Sequence, residues 1–291
     1  HRLTLFHRGR TLRPGDLPGV RHLIGDRDDE ADRRRLREAL AGDPPDAVID
    51  PSCYHPRQAD ALLDLLGPAR GAPVPAALPV LVLVSTVSVY AEVAPDVSRD
   101  ESAARQALND PDGATLSGPT YGALKRHAED RVAARWPASR TLIVRPGLLV
   151  GPGDPTGRFT WWLDRLARGG TVPAPARPDA PVQWLDARDA AAFVLQALAQ
   201  GRSGCFNLAG PAPAAPGEAP PPVTLPGLLE ALRRAMAPLP GSRAGEARFA
   251  WVSDTALEAA QVAPFTGLPL WLPEAADALH RAGVRAALAT G

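Results

Sequence analysis

Short apolar runs that alternate with helical segments constrain the fold of this chain more than any other feature. Val80 to Val84 is a continuous apolar run of the length expected for a strand buried on both faces. A second strand is predicted over residues 47–50, and helices are predicted near 30–41 and 57–66. This order of strands and helices predicts an α/β protein built on a parallel sheet. A length of 291 residues suits one large α/β domain with a smaller appended domain.

The only lysine of the chain lies four residues after one of its three tyrosines. Of the 32 basic residues, 31 are arginine, and the exception is Lys125 in the segment from Tyr121 to Lys125. The sequence predicts a helix over residues 117–132, which Ser117 or Thr120 can cap. Residues at i and i+4 share a helix face, and a nearby ammonium lowers the pKa of a phenol. The pair can therefore act as a general acid and base, although a half-buried tyrosine beside an exposed lysine is the alternative.

Two further segments place polar residues at strand ends. The apolar run at 80–84 continues into Ser85-Thr86-Val87-Ser88-Val89-Tyr90, and a second buried strand from Thr141 breaks into a loop rich in Pro and Gly that reaches Asp154. Open α/β sheets bind ligands at the carboxyl ends of their strands. These hydroxyl groups therefore point to a binding site, and the alternative is that they satisfy backbone groups at the strand end.

These segments together resemble a known enzyme family. The order Ser-Thr-x-Ser-Val-Tyr, Tyr-x-x-x-Lys, Arg-Pro-Gly and Gly-Pro-Gly-Asp is similar to the extended short-chain dehydrogenase/reductases, and within them to the NAD-dependent epimerase/dehydratase family. The resemblance runs from residue 1 to about residue 210. It implies a Rossmann-like doubly wound parallel sheet with a smaller C-terminal substrate domain.

The resemblance also gives an expected domain organisation. We expect a Rossmann domain that binds NAD(P) over residues 1–152 and a mainly substrate-binding part over 153–291, from which residues 182–208 return to the sheet. The family's first strand and its Gly-x-x-Gly-x-x-Gly loop are not found in this sequence. We therefore expect a fragment that is truncated at the N-terminus and that folds or binds cofactor poorly as given. The C-terminus is the second candidate for truncation.

The family's catalytic roles transfer to three residues by position. Thr86 matches the hydroxyl that holds the substrate oxygen, and Tyr121 matches the acid and base. Lys125 matches the residue that lowers the tyrosine pKa and holds the nicotinamide ribose. Pro146 and Gly147 match the loop beside the nicotinamide.

Basic residues near the start of the chain bear on the choice of cofactor. The position at the end of the second family strand, where an acidic residue favours NAD, is His7, and Arg8 and Arg10 follow it. This pattern favours NADP over NAD. The other predicted cofactor contacts are Asp26, Arg27, Pro51, Ser52 and Ser85. Pro51-Ser52-Cys53 departs from the Ala or Gly residues that the family usually has at this turn.

The resemblance leaves the exact reaction open. Reductases transfer a hydride to or from a carbonyl or alcohol, and nucleotide-sugar epimerases use the same catalytic residues. Sugar-nucleotide 4,6-dehydratases carry Asp-Glu directly after the threonine, whereas this chain has Val87 and Ser88, which argues against dehydration. Arg145-Pro146-Gly147 lacks the Asn that UDP-galactose-type epimerases show nearby, which favours a reductase. A cofactor-sensing or RNA-binding relative without turnover is the alternative from another class.

Charge and composition narrow the partners. The formal net charge is zero, which argues against electrostatic binding of nucleic acid. Two cysteines are too few for a disulfide framework or a metal cluster, and no apolar run is long enough to span a membrane. We expect a cytoplasmic protein with a small-molecule substrate. We expect no metal, nucleic acid or membrane partner, and a homodimer is compatible with the sequence.

Overall fold

The computed structural model describes residues 2–11, 16–67, 78–91, 99–210 and 223–289. The chain divides into two compact units, and each unit is formed from several stretches of sequence. The first comprises His1–Ser85, Ala107–Ile143 and Leu198–Gly204. The second comprises Thr86–Gln106, Val144–Ala197 and Cys205–Gly291.

Parallel strand pairs and helices form the first unit. Its elements in chain order are β1 (Thr4–His7), β2 (Arg21–Ile24), α1 (Glu30–Gly42), β3 (Ala47–Asp50), α2 (Pro56–Leu66), β4 (Val80–Val84) and α3 (Gly118–Arg135). β1 pairs in parallel with β2, and β3 pairs in parallel with β4, so that Ile49 lies opposite Val82. The predicted α/β class with parallel pairing is confirmed. β3 and β4 span the predicted residues, and α1 and α2 are each one residue longer than predicted.

Helix α3 begins where the sequence predicts. Ser117 is its N-cap residue, and Pro119 lies in the first turn, where a missing N–H costs nothing. The hydroxyl of Thr120 accepts a hydrogen bond from the Ser117 backbone N–H at 3.0 Å, so both predicted capping residues take part. The helix ends three residues beyond the predicted limit and buries a mixed set of residues: Gly122, Ala123, Leu124, Lys125, Ala128, Glu129 and Val132.

One of the crossings between the two units falls within β5 (Thr141–Pro146). The elements that follow are β6 (Leu148–Val150), α4 (Thr160–Ala167), β7 (Thr171–Pro175), β8 (Trp184–Asp186), α5 (Ala187–Ala199), β9 (Gly204–Leu208), α6 (Leu225–Met236), β10 (Arg248–Val252), α7 (Asp254–Ala259) and α8 (Arg285–Leu288). The largest sheet has the strand order β3, β4, β5, β9. β6 pairs in parallel with β8, and β7 pairs in parallel with β10.

Two tryptophans form the centre of the core in the second unit. Trp162 is 0% exposed and Trp271 is 1% exposed. Each indole N–H has an acceptor, since Trp162 donates to the carbonyl of Pro269 and Trp271 donates to the carboxylate of Asp254, both at 2.9 Å. A buried indole N–H that is paired in this way adds apolar area to the core without an unsatisfied donor.

No helix in the described part of the chain combines the length and the apolar content needed to cross a membrane.

Candidate active site

The Lys125 ammonium is buried at the carboxyl ends of two neighbouring strands. Lys125 is 2% exposed, and its Nζ donates to the carbonyl of Cys53 at 2.8 Å and to the carbonyl of Val84 at 2.6 Å. Val84 is the last residue of β4, and Cys53 follows β3 by three positions. Burial lowers the pKa of Lys125, and the nearby Cys53 and Asp50 oppose that shift. The alternative of an exposed lysine is therefore excluded.

The ring of Tyr54 lies next to this ammonium, and the ring of Tyr121 lies next to Tyr54. Nζ of Lys125 is 5.2 Å from the centroid of the Tyr54 ring, and the ring centroids of Tyr54 and Tyr121 are 6.3 Å apart. Tyr121 and Lys125 share one face of α3 because they are four residues apart. Tyr54 was not predicted from the sequence, although its place just after a strand of a parallel sheet was an available signal.

Arg27 and Ser52 meet at the end of β3 around a carboxylate that the sequence did not single out. Both Nη atoms of Arg27 donate to the carboxylate of Asp50, at 2.8 and 2.6 Å, and Nη1 also donates to Oγ of Ser52 at 3.2 Å. The backbone N–H of Ser52 donates to the same carboxylate at 3.0 Å. Asp50 is 6% exposed, so the ion pair holds the turn after β3 in place.

The predicted contacts after β1, β2 and β3 include exposed and partly buried residues. Arg8 and Arg10 are exposed in the segment after β1, and Pro51 is exposed after β3. The backbone N–H of Asp26 donates to Oδ2 of Asp32 at 2.7 Å, at the start of α1.

Pro146 and Gly147 belong to the second unit. Pro146 is the buried last residue of β5. The N–H of Gly147 donates to the carbonyl of Leu208 at 2.8 Å, next to β9. A Cβ at Gly147 would lie 3.6 Å from Cβ of Ala209, which is an ordinary contact, so packing within this unit does not require glycine there.

Ser85 and Thr86, the two consecutive hydroxyl residues after β4, differ in their hydrogen bonds. Thr86 caps a short 3-10 turn, since its Oγ1 accepts the Ser88 N–H at 3.1 Å and donates to Oγ of Ser88 at 3.3 Å. Ser85 is 3% exposed, and its Oγ has no hydrogen-bond partner among the described residues. A buried hydroxyl without a partner is costly, and Ser85 directly follows the carbonyl that Lys125 binds. This free group fits a ligand rich in hydroxyl oxygens, such as a nicotinamide ribose.

A buried polar network in the second unit joins three of its segments. The phenol of Tyr90 donates to Oδ1 of Asn207 at 2.6 Å and accepts from Nη1 of Arg145 at 2.9 Å. Nδ2 of Asn207 donates to the carbonyls of Arg99 at 3.1 Å and Gly283 at 2.9 Å. Asn207 is 0% exposed and was missed by the sequence reasoning, because no local pattern marks it.

A family model described as the NAD dependent epimerase/dehydratase family matches residues 27–209, which is more than half of the chain. The chain belongs to this family. The resemblance drawn from the Thr86, Tyr121 and Lys125 segments is therefore confirmed at the level of the family. A search of curated protein sequences found no match for this epimerase/dehydratase family member.

Solved structures of several enzymes share the fold of this epimerase/dehydratase family member. UDP-N-acetylglucosamine 4-epimerase from Bacillus cereus is 16% identical, with a TM-score of 0.56 over 96% of this chain and 89% of that chain. dTDP-4-dehydrorhamnose reductase from Bacillus anthracis, in complex with NADP, is 14% identical, with a TM-score of 0.58 over 94% and 89%. dTDP-glucose 4,6-dehydratase from the same organism, in complex with NAD, is 16% identical, with a TM-score of 0.56 over 82% and 69%. The likeness confirms the Rossmann-type fold.

Proposed function

We propose that this protein is an NAD(P)-dependent oxidoreductase that moves a hydride between the cofactor and a carbonyl or alcohol carbon. The observation that carries the proposal is the Lys125 ammonium, which is buried at the ends of β3 and β4 on the helix face it shares with Tyr121. Membership of the epimerase/dehydratase family supports the same chemistry.

In this proposal Tyr121 moves the proton and Lys125 supports it. The phenol gives a proton to the substrate oxygen during reduction and takes it back during oxidation. A positive charge nearby stabilises the phenolate, and the charge acts strongly because Lys125 is only 2% exposed. Thr86 is assigned to the substrate oxygen by the family resemblance.

The proposed cofactor is NADP or NAD, with NADP favoured by Arg8 and Arg10. A bound nicotinamide supplies a carbon that accepts or donates hydride. Lys125 and the unpartnered hydroxyl of Ser85 are proposed to hold its ribose. The remaining proposed cofactor contacts are Asp26, Arg27, Pro51, Ser52, Pro146 and Gly147.

The proposed substrate is a small molecule with a carbonyl or secondary alcohol, and nucleotide sugars are the first class to test. Solved enzymes with this fold are named for UDP- and dTDP-sugars. A reductase is favoured because Arg145-Pro146-Gly147 lacks the Asn of UDP-galactose-type epimerases. A nucleotide-sugar epimerase is the second candidate. Val87 and Ser88 stand where the dehydratases have their additional acid and base, so they argue against dehydration but not against epimerisation. We also propose that the protein is cytoplasmic and that residues 153–291 form the main substrate-binding part.

The test is to replace Tyr121 by Phe and follow nicotinamide absorbance at 340 nm with a panel of UDP- and dTDP-sugars and their keto forms. Loss of the proton donor should lower kcat by about 10²- to 10⁴-fold. Binding of NADPH, measured by fluorescence, is the control and should remain, because the ribose contacts are intact. Turnover that survives Tyr121→Phe would contradict the mechanism. Salt-dependent RNA binding without turnover would favour the non-catalytic alternative.

A further inference from the structure

Tyr54 lies in the turn between β3 and α2 and is held there by side chains from two other segments. Its backbone N–H donates to Oε1 of Gln58 at 2.9 Å, in the first turns of α2. Nε2 of Gln58 in turn donates to both carboxylate oxygens of Asp28, at 3.2 and 3.0 Å. The position of the Tyr54 backbone is therefore set by these side-chain hydrogen bonds and not by the turn alone.

Residues 53 and 54 both contact the single ammonium of the chain. The carbonyl of Cys53 accepts from Nζ of Lys125 at 2.8 Å, and the ring of Tyr54 lies 5.2 Å from the same atom. A cation within about 6 Å of a ring centroid is attracted by the negative face of the ring. Val84 supplies the other carbonyl from β4. Two carbonyls and one aromatic ring thus surround an ammonium that is 2% exposed.

The same ring also packs next to the proposed acid and base. The centroids of the Tyr54 and Tyr121 rings are 6.3 Å apart, with an interplanar angle of 43°. Tyr54 is 40% exposed, so part of its surface remains in contact with solvent. The side chain therefore contacts both members of the Tyr121 and Lys125 pair while remaining partly open to water.

We propose that Tyr54 is a positioning residue, whose ring holds the Lys125 ammonium against the two strand-end carbonyls and so fixes the charge beside Tyr121. This inference rests on the proposed function of that pair. The aromatic face performs this role and the hydroxyl group does not, since attraction of a cation depends on the ring. Removing the ring frees one side of the ammonium and loosens its position relative to the phenol.

Other charged groups act on the same ammonium. Asp50 at the end of β3 and Glu129 on α3 favour the charged form of Lys125, and Arg27, which is paired with Asp50, opposes it. Burial lowers the pKa of Lys125. The ring of Tyr54 favours the ammonium over the neutral amine, so its loss should lower the pKa of Lys125 further as long as an apolar side chain still keeps water out.

The chain offers an unusually direct measurement, because one lysine gives one side-chain signal. We would label lysine with ¹³C and ¹⁵N and titrate the Lys125 signal by NMR in the unaltered protein, in Tyr54→Phe and in Tyr54→Leu. Tyr54→Phe keeps the ring and should leave the Lys125 pKa unchanged. Tyr54→Leu keeps apolar cover without the ring and should lower it. An unchanged or raised pKa in Tyr54→Leu would overturn the proposal.

Activity provides the second readout. Tyr54→Leu should lower kcat/KM by about 2- to 30-fold and move the limb of the pH profile that depends on the acid and base, whereas Tyr54→Phe should do neither. Equal loss in both variants would also overturn the proposal, because it would assign the role to the hydroxyl. Tyr54→Met replaces Tyr54→Leu if the latter does not fold. The NMR titration needs no turnover, so a failure of the proposed function, seen as activity in Tyr121→Phe, is separable from a failure of this inference.

Discussion

Replacing Tyr90 by Phe removes one oxygen atom from the buried network of the second unit. Tyr90 is 1% exposed, and its hydroxyl both donates to Asn207 at 2.6 Å and accepts from Arg145 at 2.9 Å. Asn207 and Arg145 are themselves 0% and 4% exposed, so water has no ready access to the atoms that lose the Tyr90 hydroxyl as a partner. The ring itself stays in place, so apolar packing changes little.

The expected loss follows from the two hydrogen bonds. A neutral bond such as that to Asn207 is worth about 0.5–1.5 kcal/mol, and a bond from a charged donor such as Arg145 is worth about 1.5–3 kcal/mol. Arg145 keeps a weaker bond to the carbonyl of Glu101 at 3.3 Å, which offsets part of the cost. We therefore expect the free energy of unfolding of the second unit to fall by about 2–4 kcal/mol.

Urea unfolding followed by tryptophan fluorescence measures this loss. Tryptophans 161, 162, 184, 251 and 271 lie in the second unit and only Trp136 lies in the first, so the signal reports mainly the unit that is changed. Tyr54→Phe is the comparison variant and is followed by far-UV circular dichroism, because Tyr54 lies in the first unit. It deletes a hydroxyl from a residue that is 40% exposed and should change stability by less than about 0.5 kcal/mol. A Tyr90→Phe loss equally small would refute the reasoning.

The same residue predicts a pH dependence. Burial raises the pKa of Tyr90 to about 12, although the Arg145 charge acts in the opposite direction. The unfolded phenol ionises near pH 10, so between pH 10 and 12 the folded state binds more protons than the unfolded state. This contribution to stability is therefore fully present below pH 10 and is lost as the pH rises towards 12. Tyr90→Phe should lack that part of the decline, and identical slopes in both proteins would contradict the assignment.

Three further predictions concern groups near β3 and β4. Ser85→Ala should not lower the stability of the free protein and should raise it by up to about 1–3 kcal/mol, because it removes a buried hydroxyl that has no partner among the described residues. It should weaken NADPH binding about 2- to 12-fold. Thr86→Ala should cost about 1 kcal/mol of stability, since its hydroxyl caps a turn; equal stability effects in the two urea titrations would contradict the distinction. Cys53 is 0% exposed and burial raises its pKa to about 12, so in a Cys205→Ser background the native protein should not react with a thiol reagent at pH 8. One thiol should react after unfolding, and rapid labelling of the native protein would show that Cys53 is accessible.

Elements that depend on local pattern could be predicted from the sequence. β3 and β4 were placed on the correct residues because apolar β-branched runs bounded by polar turns have few alternatives to a buried strand. Helix α3 was placed correctly at its start because Ser117 and Thr120 cap it within four residues of chain. Such interactions involve neighbours in sequence and therefore leave a readable signal.

Partners that are distant in sequence could not be predicted. Cys53 lies 72 residues from Lys125, and Asn207 lies 117 residues from Tyr90. No local pattern marks a backbone carbonyl as the acceptor of a buried ammonium, because every residue carries such a carbonyl. The place of Tyr54 after a strand marked it only as one of several residues at the ligand-binding edge of the sheet. Its proposed role depends on which side chain the turn after β3 brings to Lys125.

The amino-acid sequence by itself determined the α/β class and the placement of Tyr121 and Lys125 on one helix face, because periodicity and an i to i+4 spacing are local properties. The family followed from the resemblance of the sequence motifs. Only the tertiary structure decided that the ammonium of Lys125 is buried and which groups accept its hydrogen bonds. Parallel pairing of β3 with β4 brings the carbonyls of Cys53 and Val84 to one edge of the sheet. Lys125 on α3 donates hydrogen bonds to both. A buried ammonium requires such acceptors, and only the folded sheet provides them together.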